Sequence, residues 1–394
     1  MLLDLEGTIR AKNPQETLNK LKPLLPLFGI TRVASVEGLT GIKVPVSVAV
    51  RPNSRILSTS QGKGISRELA DISAIMESIE VYHAERLPPC DKLESIANLK
   101  RENISFIHPD ELNLYYNLTF SEEEPIEWMK VQRFMGNGEA LVPRAYLSLN
   151  SAEQFDCHSS SCFRGDSNGL ASGNTQLEAI AHALFEVIER HCVYDFIRQN
   201  PNEYLKLFSE VDQASITGAP HIAKLMQLIE ESQLELRIRA MHGPIGVPVF
   251  GAQLQDLEPT RRTFVAGGFG AHPIPEVALS RAITEAIQSR VTVITGSRDD
   301  IFPWHFLSHD LAFVKFNNSF PKTNFKKVLW NEVPRAPRFS DFTEMLKWTL
   351  QQLSHIGKNE VYFYNYQKPE FGDIPVVKVI VPGMKISMDT MRGE

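Results

Sequence analysis

The chain has 394 residues, with 41 Lys and Arg against 47 Asp and Glu, and a formal net charge of −6. Its 43% hydrophobic and 22% charged residues match a soluble globular protein, which excludes long disorder, collagen-like repeats and coiled coil. The acidic balance argues against broad nucleic-acid binding, which needs a basic surface to neutralise phosphates. Four cysteines, at 90, 157, 162 and 192, are too few for a disulfide scaffold. Asp4 and Glu6 stand where a signal peptide would carry positive charge, and no apolar run reaches the length of about 18 needed to span a bilayer. The expectation is a cytoplasmic protein with no membrane or nucleic-acid partner.

In chain order, periodicity predicts a helix over 14–26, a strand over Val44 to Val50, and helices over 67–87 and 175–199. Strands follow over Val247 to Leu254 and Thr263 to Ala266, then a helix over 276–294. A Pro-rich connection around Pro334 and Pro337 leads into a helix over 341–354 and a last strand over Val376 to Val381. No internal repeat is visible. Strands and helices alternate irregularly, so the fold class is mixed α+β or α/β with sizeable sheets.

Three of these helices carry an unusual polar row. Ser73, Glu77 and Glu80 stand at i, i+4 and i+7; Glu178, His182, Glu186 and Glu189 follow the same rule with one more turn; Arg281, Glu285 and Gln288 repeat it. At helical period each set falls in a narrow wedge of one face, and the remaining faces are mostly apolar or small. Taken singly, each row could be the wet side of an amphipathic helix. A solvated face usually mixes signs so that i, i+4 pairs attract; here Glu77 faces Glu80, Glu186 faces Glu189, and no Lys occurs between Gln176 and Glu189. Such rows suit a hard divalent cation with oxygen ligands, and Mg²⁺ brings phosphates with it. Arg190 and Arg281 could then neutralise phosphate oxygens.

Other patterns are weaker. Ser60-Gln61-Gly62-Lys63-Gly64 contains Gly-Lys-Gly, but Leu57 and Gly64 break the GxxxxGK[ST] phosphate loop at both ends. A nucleotide site here must be of another kind. Cys157, His158 and Cys162 lack the second ligand pair that structural zinc requires, so an ordinary loop is expected, one that leads into Ser167-Asn168-Gly169. His182 could move a proton or simply hydrogen-bond one of the Glu residues. His272, after several glycines, reads as a turn residue or as a contact for phosphate or substrate. Cys192 reads as a buried inert thiol, and Arg298, Asp299 and Asp300 as an exposed helix terminus or a neighbour of the metal.

The segments QGKGISRELADISAIMESIE (61–80), SNGLASGNTQLEAIAHALFEVIERH (167–191) and GGFGAHPIPEVALSRAITEAIQSR (267–290) resemble the YcaO family of ATP-dependent peptide-backbone-modifying enzymes. They occur in the family's order and cover the middle two-thirds of the chain. The resemblance implies one YcaO-type domain over 1–394, nucleotide-binding motifs within 61–300 and a C-terminal region over 301–394. It implies ATP and Mg²⁺ as cofactors and a homodimer. Position by position, Ser73, Glu77 and Glu80 match the first nucleotide and metal motif. Glu178, Glu186, Glu189 and Arg190 match the second, with the Glu residues on Mg²⁺ and the Arg on phosphate. Arg281, Glu285 and Gln288 match the third. Asn168 and Asn174 resemble its nucleotide-contacting asparagines, and Arg10 and Thr17 an N-terminal basic and hydroxyl pair seven apart. Glu186, Glu189, Arg190 and Arg281 are thereby the catalytic candidates.

Members of the family add a nucleophile to a peptide carbonyl, phosphorylate the oxygen from ATP and expel phosphate, giving an azoline or, with sulfide, a thioamide. Azoline-forming members typically end in a PxPxP tail; here VKVIVPGMKISMDTMRGE lacks it. VIVPGM and ITEAIQSRVTVITGSRDD (283–300) resemble members that work beside a TfuA-type partner on a peptide or protein substrate. A cyclodehydratase is the alternative within the same chemistry, and a nucleotide-binding accessory protein that positions a partner enzyme is the alternative of another class. All these readings require Glu77, Glu186 and Glu285 to converge.

Overall fold

The computed structural model describes residues 2–114, 120–150, 162–163, 165–198, 207–257, 265–296, 298–299, 326–367 and 372–386. Among them the strands are β1 (Leu3–Asp4), β2 (Ile9–Arg10), β3 (Arg32–Ser35), β4 (Val46–Val50), β5 (Thr59–Lys63), β6 (Lys92–Ser95), β7 (Pro125–Arg133), β8 (Glu139–Pro143), β9 (Leu170–Ser172), β10 (Phe208–Val211), β11 (Leu234–Met241), β12 (Val249–Asp256), β13 (Ala266–Ala271), β14 (Lys326–Val328), β15 (Tyr362–Asn365) and β16 (Val376–Ile380). The helices are α1 (Pro14–Leu21), α2 (Arg67–Ala84), α3 (Ile96–Arg101), α4 (Arg144–Leu147), α5 (Gln176–Arg198), α6 (Pro220–Glu231), α7 (Pro275–Thr295) and α8 (Phe342–Ser354).

Four sheets result, and the class is mixed α/β. β3-β4-β5 form a three-stranded meander, β6-β7-β15-β16-β9 a larger sheet with β8 added on β7, β13-β12-β11-β10-β14 a five-stranded sheet, and β1-β2 a small pair. Each long helix lies on the strand that precedes it: α2 on β5, α5 on β9 and its neighbour β16, α7 on β13. Their apolar faces fill three cores. Ile75 and Ile79 of α2 pack with Trp128 and Ile126; Ile180, Leu184 and Ile188 of α5 pack with Met345 and Leu346 of α8 and Val377 of β16; Ile283 and Ile287 of α7 pack with Phe250 and Ile238. Burying such side chains removes apolar surface from water, and the opposite, polar wedge of each helix is left to face the other two.

Element boundaries follow local chemistry. The predicted helix over 14–26 stops at Leu21 and tightens into a 3₁₀ turn at Lys22–Leu24, because Pro23 cannot continue an α-helix. Helix α2 starts where the Ser66 hydroxyl accepts the N–H of Leu69, and ends at Ala84, short of Pro88. Of the strand predicted over Thr263 to Ala266, Thr263 and Phe264 lie outside the described residues, and the described strand runs from Ala266 through Gly267, Gly268 and Gly270 to Ala271. Glycine is a poor strand former, but a Cβ at Gly268 would lie 2.3 Å from the Ala286 nitrogen, so only glycine lets α7 settle directly on β13. Gly62 plays the same part between β5 and α2, where a Cβ would stand 2.1 Å from the backbone of Ala70 and Ala74.

The C-terminus of α2 is tied to β4 by a buried ion-pair hub. Glu85 accepts from both terminal nitrogens of Arg51, from the Ser54 hydroxyl at 3.1 Å, from the Arg55 N–H at 2.9 Å and from Arg86. Burial pushes this carboxyl up, but the Arg51 hydrogen bonds, the Arg55 N–H and the charges of Arg51 and Arg86 outweigh it and hold it below its ordinary value. A depressed carboxyl stabilises the fold above the unfolded-state value and loses that contribution as pH falls through the folded one. Glu85→Gln should therefore cost about 2 kcal/mol at neutral pH. In urea unfolding, the gap between variant and parent should begin to narrow as pH falls below about 4, the ordinary carboxylate value, and close only below the depressed folded-state value; a gap independent of pH would contradict this reading.

Candidate active site

The three polar wedges meet, and they meet in a ring. Each helix reaches with a side chain to the strand of the next strand–helix unit. Glu80 on α2 accepts the backbone N–H and the hydroxyl of Ser172, at 2.7 and 2.5 Å, at the end of β9. Glu189 on α5 accepts the N–H of Ala271, at 3.1 Å, at the end of β13. Glu285 on α7 pairs with the Lys63 ammonium of β5 at 2.5 Å, and the Gln288 amide donates to the Gln61 carbonyl at 2.8 Å. The ring closes the three units on one another and sets Glu77, Glu80, Glu186, Glu189 and Glu285 within each other's electrostatic reach.

These carboxylates are poorly compensated. Burial, followed by repulsion from Glu77 and Glu186 against the help of Ser172, pushes Glu80 up to about 8. Burial and the Glu189 charge push Glu186 up to about 7 despite Arg190. Burial and Glu285 raise Glu189, and burial raises Glu77 against the nearby charges of Arg298 and Lys63. Glu285 goes the other way: burial opposes it, but Lys63, Arg190 and Arg281 hold it down. Arg190 stands 3.9 Å from Glu186 and 4.0 Å from Glu189. The Nε atoms of Arg190 and Arg281 are buried without a hydrogen-bond partner among the described residues. A cluster of repelling oxygens beside underused guanidinium donors suits a divalent cation carrying an anion.

A second group lies at the N-terminal end of α5. Glu178, fully buried, accepts the N–H of Ala11 at 3.2 Å and of Asn174 at 3.1 Å, and pairs with Arg10 at 3.5 Å. The Thr17 hydroxyl donates to the Asn174 amide oxygen at 2.9 Å. Arg10, Thr17, Asn174 and Glu178, with Lys12, Leu69 and Ile72, line a small cleft. The N-terminal strand pair thus delivers Arg10 and Thr17 to the same helix that carries the acid row. Glu178 belongs to this cleft, about two turns away from Glu186. Ser73 is half-buried one turn before Glu77. Asn168 is buried, its N–H held by Asp166 at 2.9 Å and its amide oxygen without a partner among the described residues.

Both histidines have defined partners. Among the described residues His182 is bound to no Glu: its Nε2 lies 2.5 Å from an Arg10 nitrogen. Arginine can only donate, so this nitrogen accepts and the ring is neutral, and burial with the charges of Arg10 and Arg281 pushes its pKa well below the usual imidazole range. His272 is a turn residue whose Nδ1 accepts the Ile274 N–H at 3.0 Å, with its ring edge-on to Phe185. Cys192 is buried, with its thiol pushed up to about 12 by burial. Helix α7 ends at a left-handed Gly296, after which Arg298 comes within reach of Glu77 and Asp299 accepts the Ser58 N–H. Cys157, His158 and Asp300 lie outside the described residues, and Cys162 is buried.

A family model described as YcaO cyclodehydratase, ATP- and Mg²⁺-binding, matches residues 61–385. The chain belongs to the YcaO family. A YcaO relative encoded in the tfuA 3′ region of Rhizobium leguminosarum bv. trifolii, itself uncharacterised, is 32% identical over 96% of this chain and 89% of its own length. Among solved structures, YcaO from Methanopyrus kandleri bound with AMPPCP and Mg²⁺ superposes with a TM-score of 0.71 at 22% identity, covering 99% of this chain and 95% of that one. A heterocyclase in complex with substrate and cofactor gives 0.78 at 22% identity over 98% of this chain, which spans 55% of that longer protein. At such identities these two likenesses establish the fold.

ATP and Mg²⁺ are the ligands of this YcaO chain by family, and its residues fit them. The donors of the ring are hard oxygens. Among the described residues no three His, Cys, Asp or Glu close tightly enough to hold an ion alone; Mg²⁺ takes one or two carboxylates and completes its shell with phosphates and water. Among the same residues no helix is long and apolar enough to cross a membrane. Lys63, Ser172 and the Ala271 N–H, which complete the ring, are absent from the motif residues read off the sequence.

Proposed function

We propose that this YcaO chain activates a backbone amide of a peptide or protein substrate with Mg²⁺ and ATP. A nucleophile adds to the carbonyl carbon, and the γ-phosphoryl of ATP turns the carbonyl oxygen into a phosphate leaving group. Loss of that phosphate breaks the C–O bond. A Cys, Ser or Thr side chain of the substrate then gives an azoline, and external sulfide a thioamide. In this reading Glu77, Glu80, Glu186, Glu189 and Glu285 hold the metal, Arg190 and Arg281 neutralise charge on the phosphoryl group, and Arg10, Thr17, Ser73, Asn168, Asn174, Glu178 and Gln288 seat the nucleotide. Fixed charges of this kind carry most of the catalysis in phosphoryl transfer.

The observation that carries the reading is the convergence of five carboxylates from three helices on Arg190 and Arg281, whose buried Nε atoms have no hydrogen-bond partner among the described residues. The tfuA-linked relative favours a TfuA-type partner, and the family resemblance a homodimer, with either a thioamide or an azoline as the product. The test is Mg²⁺-dependent ATP hydrolysis with candidate peptide, with and without a TfuA-type protein, and mass analysis of the peptide. A thioamide adds about 16 Da and an azoline removes about 18 Da, as follows from replacing O by S or losing water. A peptide unchanged in mass while a partner enzyme's activity rises would favour the accessory reading instead.

A further inference from the structure

The Gly62-Lys63-Gly64 motif is no phosphate loop, and its geometry gives it another part. On a strand, alternate residues face opposite sides. The two glycines face α2, where a Cβ at Gly62 would lie 2.1 Å from Ala70 and one at Gly64 2.6 Å from Leu69. Gln61 and Lys63 therefore face α7: Gln61 binds Gln288 and Thr292, and Lys63 binds Glu285. Two of the three carboxylate junctions in the ring are closed by donors fixed in the backbone, at Ser172 and Ala271. The third is closed by an ammonium on a flexible stem, with side chains 20% and 24% exposed. The Lys63 charge also bears on Glu77 and Glu189.

We infer that Lys63 is an exchangeable counter-ion that makes magnesium uptake depend on nucleotide. Without ligands its ammonium occupies Glu285 and offsets the surrounding carboxylates. Magnesium arriving alone must displace it from Glu285 and leaves it only carboxylates that the metal itself engages. Magnesium arriving with a triphosphate supplies that anion, so the displaced ammonium gains phosphate oxygens as it releases Glu285. Two ligands that each favour the same rearrangement bind cooperatively, by the same factor in both directions. This inference rests on the Mg²⁺ and ATP reading above. Lys63 is a positioning residue in the metal-free state.

The test is calorimetric titration of the full chain with Mg²⁺ alone, with AMPPCP alone, and with Mg²⁺ in saturating AMPPCP. In Lys63→Met, or Lys63→Gln should the first variant not fold, Mg²⁺ alone should bind about tenfold tighter and AMPPCP should enhance it less, by at least about fivefold. Lys63→Arg, which keeps the charge, should retain most of the coupling. A purely structural lysine would weaken every titration alike. Wild-type-sized coupling in the neutral variants, or weaker binding of Mg²⁺ alone, overturns the inference while leaving the site reading standing. A wild-type protein that binds AMPPCP no better with Mg²⁺ overturns both.

Discussion

Glu186→Gln and Glu189→Gln should each lower ATP turnover by at least about a hundredfold, the scale of losing one fixed charge at a phosphoryl-transfer site. Both proteins should still fold. Glutamine keeps the shape, and at position 189 its amide oxygen can still accept the Ala271 N–H that Glu189 now holds at 3.1 Å. What disappears is a negative charge in a place where burial and neighbouring carboxylates already oppose it. The ligand-free variants should therefore melt no lower than the parent, a separation of activity from stability expected where a site is built at the fold's expense. The same strain gives a pH dependence. Glu80 at about 8 and Glu186 at about 7 bind protons in the folded state that the unfolded chain releases near its ordinary carboxylate value. Ligand-free stability should thus fall as pH rises from about 5 to 8, and Mg²⁺ with ATP should flatten that slope. Thermal melts across pH and a coupled hydrolysis assay read both effects; turnover within about tenfold of the parent in both variants would remove these residues from the metal site.

Much of this was legible because charge and period are local properties. The polar rows at 73–80, 178–189 and 281–288 need only helical spacing to share a face, and the like-charge pairs Glu77–Glu80 and Glu186–Glu189 already signal a missing cation. The three long helices were accordingly readable to within a few residues, with prolines deciding the remainder. The absence of a sequence repeat concealed the ring, because its units share no sequence, only the arrangement of a strand with a small-residue ending followed by an acid-bearing helix. Which strand each carboxylate reaches is a property of sheet topology. Ser172 and Ala271 contribute backbone groups, which carry no side-chain signature at all. Lys63 carries a different kind of signal: Gly-Lys-Gly fails as a phosphate loop, whereas alternation of glycines with Gln61 and Lys63 is the mark of a strand pressed against a helix. For His182 the helical spacing offers only the neighbouring Glu residues as partners, yet Arg10 arrives from a strand 172 residues earlier.

Lys378 lies on the last predicted strand, and among the described residues it is the most deeply buried cation near the site. On β16 its ammonium donates to the Tyr146 carbonyl at 3.0 Å and the Asp166 carbonyl at 2.6 Å, pairs with the Asp166 carboxylate at 3.6 Å, and lies 4.5 Å from the centre of the Tyr146 ring. Asp166 in turn holds the N–H of Asn168, and the next residue, Gly169, accepts the Val379 N–H at 2.8 Å. The pair therefore shapes the turn that leads into β9 and α5. Lys378→Met should cost about 3–5 kcal/mol, because it leaves a buried carboxylate and two carbonyls without their partner. Asp166→Asn on that background should restore at least about 1 kcal/mol, since the uncompensated charge goes with it and neighbours in one network are not additive. The Asp166 charge also bears on Arg190, so the single variants, assayed where they remain folded, should raise the KM for ATP more than they lower kcat. Urea unfolding of the two single variants and the double variant reads the coupling directly. A Lys378→Met cost below about 1 kcal/mol would mean that water or a shifted side chain compensates Asp166, and that this turn is held by its backbone alone.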